Sequence, residues 1–289
     1  MKIDTLILCG CSTKVSAYVG IFKALLDQNV IQIDNINTII STSSGSIISV
    51  LLTLGYSMAM IEKLIFNISY KKLFNMDELN NFLNLNGLFT HNKIDILIYK
   101  LIYHKYKKNS ITLKELYDKT KKTLIFKVFN ITKEVNEYIS YKTHPNIKLN
   151  VAIKMTTCLP FLFKPILYDG NYYIDGGISG SLPYLSEYKN YLAIYITSIT
   201  KDDIINNHIQ NMNIFKYTQV IIKVLSSLVE CSNINKTIFN NNSRLIKVYI
   251  QDISTFNFDI SLDIKKKLSN QGKQSTIDHL KKHNIITQE

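Results

Sequence analysis

The chain has no tryptophan, and its 289 residues include only four prolines, four cysteines, ten glycines and six histidines. Each shortage narrows the chemistry. The cysteines, Cys9, Cys11, Cys158 and Cys231, show no paired metal spacing, and Cys9-x-Cys11 is too close for a zinc knuckle. They suit a reduced, intracellular setting. The histidines are scattered with no H-x-x-x-H pair, so neither a metal site nor any other cofactor is expected. Met1-Lys2 leads straight into Ile3-Asp4-Thr5 and a strand-like LILC, which does not read as a secretory leader. Residues 36–61 carry no charge, but their serines, Gly45 and strand-like opening argue for a buried strand and helix over a transmembrane span. A cytoplasmic protein, at most peripheral on membranes, is expected. Repeats and linkers are also missing. The simplest partition is one domain over 1–289, with a core of about 3–200 and a helical extension carrying one strand over about 201–289.

Acidic residues are scarce too: 22 Asp and Glu stand against 34 Lys and Arg, a net charge of +12. Nucleic acid or anionic lipid headgroups would suit such a charge. No zinc finger, RNA-binding aromatic motif or helix-turn-helix signature accompanies it, so no nucleic-acid partner is expected. What is abundant is aliphatic and aromatic matter, with 46% hydrophobic residues, 18 Tyr and 13 Phe, enough for a full α/β core.

The chain is organised around INTIISTSSGSIISVLLTLG, residues 36–55. A β-branched run, Ile36–Ile40, reads as a buried parallel strand. It breaks into Ser41-Thr42-Ser43-Ser44-Gly45 and enters an apolar helix. Strand, small-residue turn and helix form the layout of a nucleophile elbow, G-x-S-x-G, with Ser43 as nucleophile, Gly45 as second glycine and Ser41 in place of the first. A plain helix cap built from Ser and Thr would look similar.

A strand over 5–8 opens into Cys9-Gly10-Cys11-Ser12-Thr13-Lys14-Val15 and a helix from Ala17 to Leu26, a loop able to offer amides to an anion. Ser57 caps a helix to about Asn67, and Asn75 with Glu78 resembles a capping box. A helix over 92–106 is apolar nearly all round, with Lys93, Lys100, His104 and Lys107 on one stripe. That stripe reads as a solvated face before it reads as a membrane contact. Thr112 and Glu115 form another capping box. Strands follow at 123–131 and 135–141, then helical spacing over 148–157. ILYDGNYYI, 166–174, is a hairpin turning at Asp169-Gly170 and delivering Asp175-Gly176-Gly177 at its end. Strands at 191–197 and 244–250 flank a helix over 213–231, and a last helix starts near Ser261.

Taken in order, these segments resemble the patatin-like phospholipase family: the glycine-containing opening loop with A-Y-x-G, the elbow T-S-S-G before VLLTLGYS, and GLF at 87–89. ITLKELYDKTKKTLIFKVFNIT at 111–132, AIKMTTCLPFLFKPILYDGNYYIDGG at 152–177 and FNFDISLDIKKKLSNQG at 256–272 continue the match. The resemblance implies a three-layer α/β/α fold around a mostly parallel sheet. It implies a Ser43–Asp175 dyad, with Asp175 of the D-G-G motif taking the Ser43 proton and no histidine required. Gly10, Cys11 and Ser12 would form the oxyanion loop, with Lys14 as the family's basic residue and Gly45, Gly176 and Gly177 in support. The implied activity is metal-independent hydrolysis of a lipid acyl ester, of phospholipase A or lysophospholipase type, at a membrane surface. The chain departs from G-G-G-x-[RK]-G at Cys11, Ser12 and Val15, has Ser41 for glycine, and Ser181 where asparagine is frequent. A silent, lipid- or partner-binding protein is the alternative those departures allow.

Overall fold

The computed structural model describes residues 2–73, 92–160, 162–198, 221, 242–250 and 259–287. The elements are β1 (Thr5–Leu8), α1 (Ala17–Asp27), β2 (Thr38–Thr42), α2 (Gly45–Thr53), α3 (Met58–Asn67), the single turn α4 (Tyr70–Leu73) and α5 (Asn92–Tyr106). After them come α6 (Leu113–Thr120), β3 (Thr123–Asn130), β4 (Val135–Ser140), α7 (Leu149–Thr156), β5 (Ile166–Tyr168), β6 (Asn171–Asp175), β7 (Tyr191–Ser198), β8 (Leu245–Ile250) and α8 (Leu262–Lys282). The Asn75–Glu78 capping box, the GLF segment and most of the expected 213–231 helix lie outside the described residues.

Among the described residues the sheet has eight strands in the order β5-β6-β3-β2-β1-β7-β8, with β4 also on β3. Its centre is parallel: β1 pairs with β2 and β7, β2 with β3, and β7 with β8. The hairpin edge is antiparallel, β3 with β4 and β6, and β5 with β6. Helices α1, α3 and α8 pack together, as do α2, α5 and α7. The two groups flank the sheet and give the three-layer α/β/α arrangement expected. Strand β1 is buried at all four residues, as a central parallel strand flanked by helices must be. Between α1 and α8 the backbones nearly touch. A Cβ on Gly20 would lie 1.8 Å from Ser269 O, and one on Gly272 would lie 2.3 Å from Ala17 O.

Local signals account for the ends of several elements. Ser57 accepts from Met60 N at α3, and Ser261 from Ile264 N at α8. Thr112 and Glu115 close a full capping box on α6. Asp169 and Gly170 both take positive φ, 47° and 71°, the two-residue turn that matches strand twist.

Two expectations need correction. The strand read at 36–40 runs from Thr38 to Thr42, because its ladder with β1 and β3 begins at Thr38 and continues through Ser41. Polar residues stay in the buried strand since Ser41 Oγ lies 2.9 Å from Ser49 Oγ and donates to Ser46 Oγ at 3.3 Å. The second concerns α5. Its apolar surround divides into a buried side, Ile94, Ile98, Leu101 and Ile102, and an exposed one, Ile96, Tyr99 and Tyr103. Lys93, Lys100, His104 and Lys107 are exposed, as a solvated stripe requires.

Candidate active site

Register alone brings two strand ends together. One edge of β3 pairs with β4 along Ile125–Asn130. The other edge is shared: β2 occupies Thr123–Lys127, ending at Thr42 opposite Lys127, and β6 occupies Val128–Asn130, ending at Asp175 opposite Val128. The strands run towards each other and stop at adjacent residues of β3. Ser43 leaves the sheet at one end and Asp175 stands at the other.

Ser43 takes φ +52°, a left-handed conformation disfavoured for a residue with a Cβ, in the tight turn between β2 and α2. Its N–H donates to Thr156 Oγ1 at 2.9 Å, and its carbonyl accepts from Ser46 N at 2.9 Å. Such a turn forces neighbours close. A Cβ on Gly45 would lie 2.5 Å from Cys9 O, and one on Gly10 would lie 2.8 Å from Ser43 Cβ. Both positions therefore demand glycine. The N-terminus of α2 points its first amides towards this turn, which favours negative charge there.

Asp175 is fully buried. Its N–H donates to Cys158 O at 2.9 Å and its Oδ1 accepts from Gly177 N at 2.7 Å. Burial pushes its pKa from 3.8 up to about 6, against the lowering influence of the Ser43 hydroxyl, the Gly177 amide and the Lys127 ammonium. Among the described residues Oδ2 itself has no hydrogen-bond partner. The serine is thus near enough to bias the carboxyl without closing a bond to Oδ2, as catalytic contacts often are before substrate arrives. The carboxylate also helps to raise the nearby Cys158 thiol, whose burial is the main cause.

The opening loop is tied down more than expected. Gly10 N donates to Ser181 O at 3.0 Å and Cys11 N to Ser44 Oγ at 3.0 Å, so these two amides are already committed to protein acceptors. Ser12 begins a 3-10 turn, Ser12–Ser16, at φ +52°, and its buried Oγ has no hydrogen-bond partner. Lys14 is buried in the same turn, its amide bonded to Cys11 O. The Cys11 thiol is raised to about 11 by burial, which keeps it neutral and unreactive. Ser12, Ser43 and Ser44 line a pocket otherwise built from Ile47, Leu73, Ile94, Leu97, Ile98, Ile153, Thr157 and Leu159. The walls are apolar, the three serines supply the polar atoms, and the space enclosed is about 20 Å³, room for about one water.

The sequence reading missed three residues. Thr156, Lys127 and Ser44 each contact the site through hydrogen bonds. Lys127 alone left a signal, a charge inside the apolar strand TLIFKVFN. His144, by contrast, bonds its neighbour Thr143 and packs near Tyr168, and makes no recorded contact with Ser43 or Asp175. Among the described residues no three His, Cys, Asp or Glu side chains cluster as a metal site.

The family model described as patatin-like phospholipase matches residues 6–187. This chain belongs to that family. A protein of Invertebrate iridescent virus 6 named probable lipid hydrolase 463L is 34% identical over 186 residues, 62% of this chain and 61% of that protein. The chain therefore spans less than two thirds of that relative. The uncharacterized protein R571 of Acanthamoeba polyphaga mimivirus is 26% identical over 95% of this chain and 92% of its own length. Among solved structures, VipD from Legionella pneumophila superposes with a TM-score of 0.63 at 17% identity, covering 98% of this chain and 67% of VipD. ExoU, in its complex with SpcU from the type III secretion system of Pseudomonas aeruginosa, gives 0.56 at 14% identity over 99% of this chain and 53% of ExoU. At such identities the structures speak for the fold alone. It is a patatin-like fold, and among the described residues no helix is long and apolar enough to cross a membrane.

Proposed function

We propose that the protein hydrolyses the acyl ester of a glycerophospholipid, as a phospholipase A or lysophospholipase, through an acyl-Ser43 intermediate. One observation carries the reading: a serine in a left-handed turn at a strand end beside a buried carboxylate whose pKa is pushed up to about 6. A carboxylate of ordinary acidity is too weak a base for a serine hydroxyl, and burial corrects that. Asp175 takes the Ser43 proton while Oγ adds to the ester carbonyl carbon. The oxyanion rests on the Ser12 end of the opening loop and the amide that follows Ser43, since the Gly10, Cys11, Ser46 and Ile47 amides are engaged elsewhere. Collapse breaks the C–O bond to the alcohol, which leaves with the proton from Asp175. Water, deprotonated by Asp175, then releases the fatty acid and restores Ser43. Gly176 and Gly177 keep the turn behind the base compact, and Lys14 fixes the opening loop from within.

The name of the viral relative, probable lipid hydrolase, supports this substrate class. The outer side of α5 supports a membrane surface as the place of encounter. Ile96, Tyr99 and Tyr103 are exposed, the two tyrosine rings stack at 5.8 Å, and Lys93, Lys100 and Lys107 lie beside them. The opposite side of the same helix contributes Ile94, Leu97 and Ile98 to the Ser43 pocket. Tyrosine and lysine together suit the headgroup layer of an anionic bilayer.

The commitment of two loop amides favours one other reading, a patatin-like protein that binds lipid without turnover. A fluorophosphonate probe and a panel of lipid esters separate the two. Wild type should label and hydrolyse. Ser43→Ala should lose both, and Asp175→Asn should lose at least about a thousandfold in rate. A wild type that neither labels nor turns over would leave the silent reading standing.

A further inference from the structure

We propose that Lys127 and Thr156 form a positioning pair that fixes Ser43 and Asp175 relative to one another. The inference rests on the dyad reading above and assigns a cause to its geometry. Strands β2 and β6 meet end to end on one edge of β3, and neither continues the other's ladder. Ser43 and Asp175 are therefore held in mutual register through β3, where Lys127 and Val128 face the two strand ends.

Lys127 sits at that junction and reaches both sides. Its carbonyl accepts from Thr156 Oγ1 at 2.8 Å, and the same Oγ1 accepts from Ser43 N at 2.9 Å. The hydroxyl spends its single proton on Lys127 and its lone pair on Ser43, so both bonds have one consistent direction. On the other side the Lys127 ammonium donates to Ser179 O at 2.9 Å and Gly180 O at 2.7 Å, in the turn that follows Asp175. That turn supplies the Gly177 amide to Asp175 Oδ1. One residue of β3 thus anchors the turn that carries the nucleophile and the turn that carries the base.

Both members are withdrawn from water, Thr156 at 0% exposure and Lys127 at 4%. A buried ammonium costs several kcal/mol to desolvate. A hydrophobe of similar length would serve a purely structural purpose at that point in the strand with less penalty. The charge also acts on the base. Of the groups facing Asp175, the Ser43 hydroxyl and Gly177 amide are neutral, the Cys158 thiol is kept neutral by burial, and Lys127 brings positive charge. Its ammonium opposes the burial that raises the carboxyl, so the base stays ionised at lower pH than burial alone would allow.

The test uses the full chain with a chromogenic acyl ester and a fluorophosphonate probe. Its variants are Lys127→Met, Thr156→Val and Thr156→Ser, with Ser43→Ala and Asp175→Asn as dyad arms. Lys127→Met should lower kcat about tenfold or more at pH 7 with KM within about twofold. Its acidic limb should move to higher pH, so that the deficit shrinks in alkaline buffer. Thr156→Val should slow probe labelling about tenfold with the limb unmoved, and Thr156→Ser should restore it. An unmoved limb with near wild-type kcat in a folded Lys127→Met overturns the role of the lysine. A Thr156→Val that labels like wild type, or a Thr156→Ser no better than it, overturns the role of the threonine. Should Lys127→Met not fold, the nearly isosteric threonine variants decide alone. Turnover persisting in Ser43→Ala or Asp175→Asn defeats the dyad reading itself.

Discussion

Around Ser43 two loops meet, and they treat their polar groups in opposite ways. In the turn between β2 and α2, Ser41 bonds Ser46 and Ser49, Ser43 N bonds Thr156, and Ser44 Oγ accepts from Cys11 N. The glycine-to-serine departure at position 41 is thereby absorbed, because its hydroxyl points at partners on α2, the helix that follows its strand. In the opening loop and beside the base the bookkeeping stays open. Ser12 Oγ, Thr42 Oγ1 and Asp175 Oδ2 are buried without hydrogen bonds. Such groups raise the free energy of the folded state; three of the six among the described residues lie here, and Thr53, Asn150 and Gln271 carry the others elsewhere. Partnered residues hold the turn rigid, while unpartnered ones keep capacity for the reaction.

The largest test of this contrast is Asp175→Asn read as a stability experiment. The folded pKa, about 6, exceeds the unfolded value of 3.8, so between those values the folded state binds more protons than the unfolded one. Stability from this group is greatest at low pH and is lost as pH rises through about 6. The cost levels off near 3 kcal/mol, from about two pKa units at 1.36 kcal/mol each. The asparagine variant should match wild type near pH 4 and exceed it by about that amount near pH 8 in denaturant melts. A difference that does not change with pH would show that Asp175 carries no desolvation strain.

Next in size is Gly10→Ala, which joins the two loops at their closest approach. Its Cβ, 2.8 Å from Ser43 Cβ, must displace the nucleophile, and turnover should fall about a hundredfold with KM little changed. Ser12→Gly should relieve the left-handed strain and the orphaned hydroxyl, raising stability by about 1 kcal/mol while turnover stays within about threefold. A far larger loss of turnover would assign the hydroxyl, in place of the amide, to the oxyanion. Smallest of all, Ser41→Gly should cost about 1 kcal/mol for its hydrogen bonds and leave turnover within about twofold. If Ser41→Gly instead damaged turnover more than Ser12→Gly, the contrast between the loops would be reversed.

Much of the scaffold was legible because local chemistry decides it. The Asp169-Gly170 turn, the Thr112–Glu115 box and the Ser57 and Ser261 caps each announce themselves within four residues. The strand over Thr5–Leu8 and the helix from Ala17 follow from apolar patterning. The reading faltered where burial and polarity separate. Ser41 and Thr42 look like the start of a turn, yet they are strand residues whose ladder partners lie far away in sequence. Nothing local in the sequence reveals that Ser181 and Ser44, distant in the chain, accept the protons of the loop amides. Thr156 was silent for the same reason: a threonine near a helix end has many uses, and only β3 register singles this one out. Lys127 was different, since a charge in the middle of TLIFKVFN must find partners, and that question can be asked of the sequence alone.

The close passage of Gly20 against Ser269 and of Gly272 against Ala17 ties the helix that follows the opening loop to α8, and α8 also touches the Ser12–Ser16 turn. The consequence is temporal. Ser43, the opening loop and Asp175 are all translated by residue 177, yet the support beneath the loop is not made until residues 262–282 emerge. A nascent chain still lacking that helix holds the reacting groups without the backing that shapes them. Synthesis order thus separates the making of the two turns from the making of the helix that backs them.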